Sequence, residues 1–165
     1  MDYTIFTDNK IKAIDMLPEG LEELQLYGMF NHSIDYLPNS LEFLVLDSYF
    51  DQEINNLPNN LNCLILGDTY QQKIKYLPKK LKTLCLPCYE HDLMDIKHDP
   101  NNPYLLEELT LKKYDFSLKH ILKIFPNLKT LRVYKKNPNI FSLRGTIKTF
   151  SHELPVSGVE IKWYS

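Results

Sequence analysis

Cysteine is scarce in this chain: Cys63, Cys85 and Cys88 are its only thiols. Three is too few and too odd a number for a disulfide framework, so a reducing, cytoplasmic setting is expected. Long apolar runs are missing as well. No stretch reaches the length a membrane-spanning helix needs, and Met1 to Lys10 lacks the pattern of a signal peptide, so no membrane partner is expected. A catalytic constellation is the third absence. His32, His91, His98, His120 and His152 are accompanied by no nucleophile or carboxylate pair at a recognisable spacing, and no enzymatic activity or cofactor is expected.

What is present is ordinary in bulk. A chain of 165 residues, 44% hydrophobic and 24% charged, suits one domain with a sizeable core. The net charge of -2 conceals a gradient, because residues 1–60 carry eleven acids against Lys10 and Lys12 while residues 61–165 carry seventeen bases against ten acids. The two ends of a long molecule would then differ in sign, whether as two kinds of binding end or as a solvated surface that drifted.

The order of the residues is more telling. Leu-Pro-x-x-Leu-x-x-Leu-x-Leu recurs at Leu17, Leu37, Leu57 and Leu77, at a strict interval of twenty residues. The leucines that follow are Leu21, Leu24 and Leu26, then Leu41, Leu44 and Leu46, then Leu61, Leu64 and Leu66, then Leu81, Leu84 and Leu86. A fixed period of this length marks a solenoid, and Leu-x-x-Leu-x-Leu is the strand signature of leucine-rich repeats. Twenty residues leave little room for an outer helix, so the outer segments should be extended or short 3₁₀ pieces. Phe30, Phe50 and Tyr70 share one equivalent position, and Ile14, Ile34, Ile54 and Ile74 share another. Each proline biases the preceding leucine toward an extended backbone and suits a loop edge. A single coil buries too little to offset the entropy of ordering it, so only the stacked array folds.

Phe30-Asn31-His32-Ser33-Ile34, followed by Asp35-Tyr36-Leu37-Pro38, resembles the FNIP repeat, a short relative of the leucine-rich repeat found in amoebal and giant-virus proteins. Phe50-Asp51-Gln52-Glu53-Ile54 and Tyr70-Gln71-Gln72-Lys73-Ile74 are looser copies, and the proline usual before the Ile is missing in all three. The likeness covers residues 11–86, and the residues that carry it are structural. It implies an intracellular binding scaffold, in some members downstream of an F-box. No F-box is expected here, because the first repeat begins almost at Met1.

The expected fold is α/β and mostly β: a single leucine-rich-repeat-like solenoid of about eight parallel strands, with the sheet on the concave side. Residues 1–16 form an N-terminal cap unit in which Tyr3-Thr4-Ile5-Phe6 aligns with Glu23 to Leu26, and 17–88 are the regular repeats. Residues 89–105 are an inserted, polar, protruding loop, since Leu106-Glu107-Glu108-Leu109-Thr110-Leu111 comes five residues late. Residues 106–135 are longer repeats. They include one helix near 116–125, capped by Asp115 or Ser117, with Leu118, Ile121, Leu122 and Phe125 on one face. Residues 136–165 form a C-terminal cap whose last strand uses either Ile161 and Trp163 or Val159 and Ile161 at the inward positions.

Side chains between the leucines should line the sheet surface. One row reads Tyr3, Glu23, Phe43, Cys63, Thr83, Glu108, Thr130, Glu160, and the next reads Ile5, Gln25, Val45, Ile65, Cys85, Thr110, Arg132, Lys162. Phe43, Val45, Cys63, Ile65 and Cys85 make its centre apolar, the mark of a contact surface, although β-propensity alone also selects such residues. Tyr27 and Arg132 stand at the margins, in a rim row with Asp47, Lys112, Tyr134 and Tyr164. The expected function is capture of an as yet unidentified protein on this face. Rival readings are a homodimer through the same face, or nucleic acid held by Lys112, Lys113, Lys129, Arg132, Lys135 and Lys136. Cys85-Leu86-Pro87-Cys88 has the spacing of redox pairs and zinc sites, with His91, Asp92 or His98 as further ligands. Cys85 lies on a strand, however, and reads first as a small apolar residue, so no metal is expected.

Overall fold

The computed structural model describes residues 2–7, 17–111, 118–134 and 159–164. Among them eight parallel strands form one sheet in sequence order: β1 (Asp2–Thr7), β2 (Glu23–Gly28), β3 (Phe43–Leu46), β4 (Cys63–Leu66), β5 (Thr83–Leu86), β6 (Glu108–Leu111), β7 (Thr130–Tyr134) and β8 (Glu160–Tyr164). The chain is a parallel β-solenoid with one α-helix among the described residues, α1 (Leu118–Ile124).

The repeat builds each coil in the same way. Within every Leu-Pro-x-x-Leu the second leucine N–H donates back to the proline carbonyl, from Leu21 to Pro18 at 3.2 Å and from Leu41, Leu61 and Leu81 to Pro38, Pro58 and Pro78 at 3.1 Å. That turn reverses the chain into the strand. A backbone ladder then links the coils, with Glu42, Asn62 and Lys82 donating to Glu22, Glu42 and Asn62, each at 2.8 Å. The register pairs Leu24 with Leu44, Leu44 with Leu64, Leu64 with Leu84 and Leu84 with Leu109. These leucines are fully buried in one continuous core, along with Leu21, Leu41, Leu61 and Leu81.

Phe30, Phe50, Tyr70 and Tyr89 stack as a second core column, with successive ring centroids 6.1, 6.1 and 6.4 Å apart. Strands in a sheet lie only about 4.8 Å apart. The repeats therefore fan out away from the sheet, which makes the sheet the concave side. Side chains span the wider gap there: Asn31 Oδ1 accepts the Asp51 N–H at 2.9 Å, and Asp51 Oδ1 accepts the Gln71 N–H at 2.8 Å.

Four sequence expectations change or resolve. In β1 the register pairs Tyr3 with Leu24, Thr4 with Gln25 and Ile5 with Leu26, one residue away from the expected alignment. Tyr3 and Ile5 thus hold the positions of the leucine columns, and Asp2 and Thr4 head the surface rows. With strand period two, a one-residue slip exchanges the two faces. Residues 89–96 are not a protruding loop. Tyr89 extends the aromatic column, Leu93 and Ile96 are fully buried, and a 3₁₀ turn (Leu93–Asp95) capped by the Asp92 carboxylate carries the outer arc. Only the tip reverses in a tight turn, with Asn102 N–H donating to Asp99 C=O at 3.0 Å across Pro100.

In α1 the buried face is Leu118, Ile121 and Ile124, continued by Phe125, while Leu122 is only partly buried; the expected caps Asp115 and Ser117 lie outside the described residues. In β8, Ile161 pairs with Leu131 and Trp163 with Val133, which selects the first of the two registers.

Candidate functional site

The solvent side of the sheet carries the rows expected from the sequence, from β2 onward. Glu23, Phe43, Cys63, Thr83, Glu108, Thr130 and Glu160 pair along one row, and Gln25, Val45, Ile65, Cys85, Thr110, Arg132 and Lys162 along the next. Phe43, Val45, Cys63, Ile65 and Cys85 thus adjoin on three neighbouring strands, and none belongs to the core cluster. Their exposure is uneven. Phe43, Cys63 and Ile65 are partly exposed, whereas Val45 keeps 8% and Cys85 only 5% of its surface. Concave curvature crowds the second row, because side chains that rise from the inside of an arc converge. Contact with a visitor therefore falls chiefly on Phe43, Cys63 and Ile65.

Both margins are fixed by hydrogen bonds. The Tyr27 hydroxyl donates to Gln25 Oε1 at 2.8 Å, laying the ring beside the start of the second row. Arg132 donates to Glu108 Oε2 at 2.6 Å, one strand away and 24 residues apart in sequence. This hydrogen bond holds the Glu108 carboxyl below the usual carboxylate range, against the opposing pull of burial. The link was not legible in the sequence; its signal is the neighbouring placement of an acid and a base in adjacent rows. Lys112 of the expected rim row lies outside the described residues, and Tyr134 and Tyr164 are register partners.

The thiols of Cys63 and Cys85 are poor nucleophiles. Burial, reinforced by Glu108 and Glu23, pushes Cys63 up to about 12, and burial likewise pushes Cys85 up to about 12. A thiol at that value is almost wholly protonated near neutral pH, and redox or metal chemistry needs the thiolate. Two of the three further ligands are engaged elsewhere: His91 Nε2 lies 2.5 Å from the Gln71 carbonyl, and Asp92 accepts the Met94 N–H at 2.8 Å. Among the described residues, no three His, Cys, Asp or Glu side chains come together to hold a metal ion. No helix among them is long and apolar enough to cross a membrane.

Comparison with known proteins rests on the repeats. The family model described as FNIP Repeat matches residues 9–49 and 50–89. No curated protein and no solved structure matches the chain. The matched span carries the twenty-residue coil, the aromatic column and the side-chain bridge that begins at Asn31, so the repeat family accounts for the frame on which the sheet face is built. Over residues 9–89 the chain is built of FNIP repeats.

Proposed function

We propose that this chain is a non-enzymatic, cytoplasmic scaffold that holds a protein partner against its concave sheet face. The observation that carries the reading is the run of apolar side chains, Phe43, Val45, Cys63, Ile65 and Cys85, on the side of the sheet the core does not use. Phe43, Cys63 and Ile65 stay partly exposed there after folding and gain from being covered. The solenoid supplies rigidity, since each coil is locked to its neighbours and little freedom is left to lose on binding. Affinity then comes from the apolar centre, while Tyr27, Arg132 and the flanking charges set orientation.

A nucleic acid is the weaker reading. The cations it would need on this face, Lys129, Arg132 and Lys162, already lie 2.9, 2.6 and 3.0 Å from carboxylates. The test is photo-crosslinking in cells with benzoylphenylalanine placed at Phe43 and, as control, at Tyr36, which is 77% exposed between β2 and β3. A discrete protein adduct is expected from the Phe43 position only, and Ile65→Lys should remove it. Equal adducts from both positions would rule the sheet face out.

A further inference from the structure

Charge is neutralised differently at the two ends of the sheet face. Toward β7 and β8 three described cations each have a carboxylate: Lys129 meets Glu107 at 2.9 Å, Arg132 meets Glu108 at 2.6 Å, and Lys162 meets Glu160 at 3.0 Å. Toward β2 and β3, Glu23, Glu42 and Asp47 have no such relief among the described residues. Among the described residues Glu42 accepts from Asn62 Nδ2 at 3.1 Å, and the Asp47 carboxylate takes the N–H groups of Gly28 at 3.3 Å and Ser48 at 2.6 Å. Among the described residues no cation pairs with Glu23, Glu42 or Asp47. The apolar centre begins at Phe43, which pairs with Glu23 in the register and follows Glu42 in the chain, while Asp47 lies past the opposite end of β3.

We propose that the sheet face takes an extended segment of another protein, lying across the strands, with apolar side chains over Phe43, Cys63 and Ile65 and a lysine or arginine at the end over Glu23 and Glu42. The inference deepens the reading of this face as the binding surface and rests on it. Strands about 4.8 Å apart put β2 and β5 about 14 Å from each other, the reach of four or five extended residues. A concave surface whose rows converge admits a narrow segment better than a broad, flat one. Any occupant that covers Phe43 also strips water from the adjacent carboxylates, and only a cation in the occupant restores what they lose. An acidic segment or a nucleic acid is repelled at the same place. A second copy in two-fold contact would bring these acids against the far end, where the cations are already paired.

The experiment is selection of phage-displayed random peptides, about twelve residues long so as to overspan that reach, on the immobilised full chain at low salt. Enriched peptides are expected to share an apolar pair with Lys or Arg on one side. Their affinity should fall about tenfold in the Glu23→Gln/Glu42→Gln chain, with most of its salt dependence lost. Phe43→Ser should abolish binding of the same peptides while the far-ultraviolet circular dichroism is unchanged. Uncharged or acidic peptides that need Phe43 but ignore the carboxamide pair would overturn the charge assignment and leave the face as the site. Peptides indifferent to Phe43→Ser, or no enrichment above the Phe43→Ser control, would overturn both. A dimer in sedimentation that Phe43→Ser dissociates would assign the face to a second copy instead.

Discussion

Tyr70 stacks on Phe50 with ring centroids 6.1 Å apart and planes 3° from parallel, yet among the described residues its buried hydroxyl has no hydrogen-bond partner. Phe30 and Phe50 fill the same position without a hydroxyl, and Tyr89, next in the column, uses its own to accept the Ile74 N–H at 2.9 Å. Tyr70 thus bears the desolvation cost of a polar atom with no return. Tyr70→Phe is expected to raise stability by about 1 kcal/mol, or roughly 2–4 °C in Tm for a chain of this size. Thermal unfolding followed by circular dichroism checks it, and a lower Tm would mean that the hydroxyl is satisfied after all.

Two glycines should respond to substitution for different reasons. A Cβ on Gly67 would lie 2.5 Å from the Asp47 carbonyl carbon and from the Ser48 backbone, where the preceding coil passes. Gly20 has open space around it but a φ of +88°. Gly67→Ala is therefore expected to cost about 1–3 kcal/mol through overpacking, and Gly20→Ala about 1–2 kcal/mol through backbone strain. Asparagine tolerates positive φ, so Gly20→Asn should recover part of the loss while Gly67→Asn should not. Urea denaturation of the four variants separates the two causes; recovery at position 67 would contradict the close approach.

The Glu108 carboxyl, lowered by its hydrogen bond to Arg132, gives a pH dependence with a definite sign. Its folded-state pKa lies below the unfolded one, so the contribution is present above the unfolded value and is lost as pH falls through the folded value. Glu108→Gln is expected to lower Tm at pH 7, with the gap to the native chain closing as pH falls through the lowered folded-state value. The pair is partly exposed and screened, which limits the effect to no more than about 1 kcal/mol. A gap that persists unchanged in acid would mean that the effect of the substitution is steric.

The leucine columns were legible because each coil repeats the same inward positions twenty residues later, and stacking rewards that period directly. Legibility failed where the mark was absent. In β1 no leucine distinguishes Tyr3 from Thr4, so only pairing with β2 decides which of them joins the column. Residues 89–96 look polar in sequence, yet Leu93 and Ile96 are spaced to continue an outer column that five extra residues had disguised. In the helix, whether Leu122 or Ile124 faces inward depends on where the sheet lies, which the helical period alone does not say.

By itself, then, the sequence determined the solenoid, its parallel strands and, from β2 onward, the identity of the residues on the open face, because a strict period leaves one way to bury every leucine. Tertiary structure decided how much of that face is reachable. Curvature, read from aromatic rings 6.1 Å apart behind the more closely spaced strands, presses Val45 and Cys85 below their neighbours and leaves Phe43, Cys63 and Ile65 available. It also decided which charges are spent, since Arg132 and Glu108 meet only when β6 and β7 lie side by side.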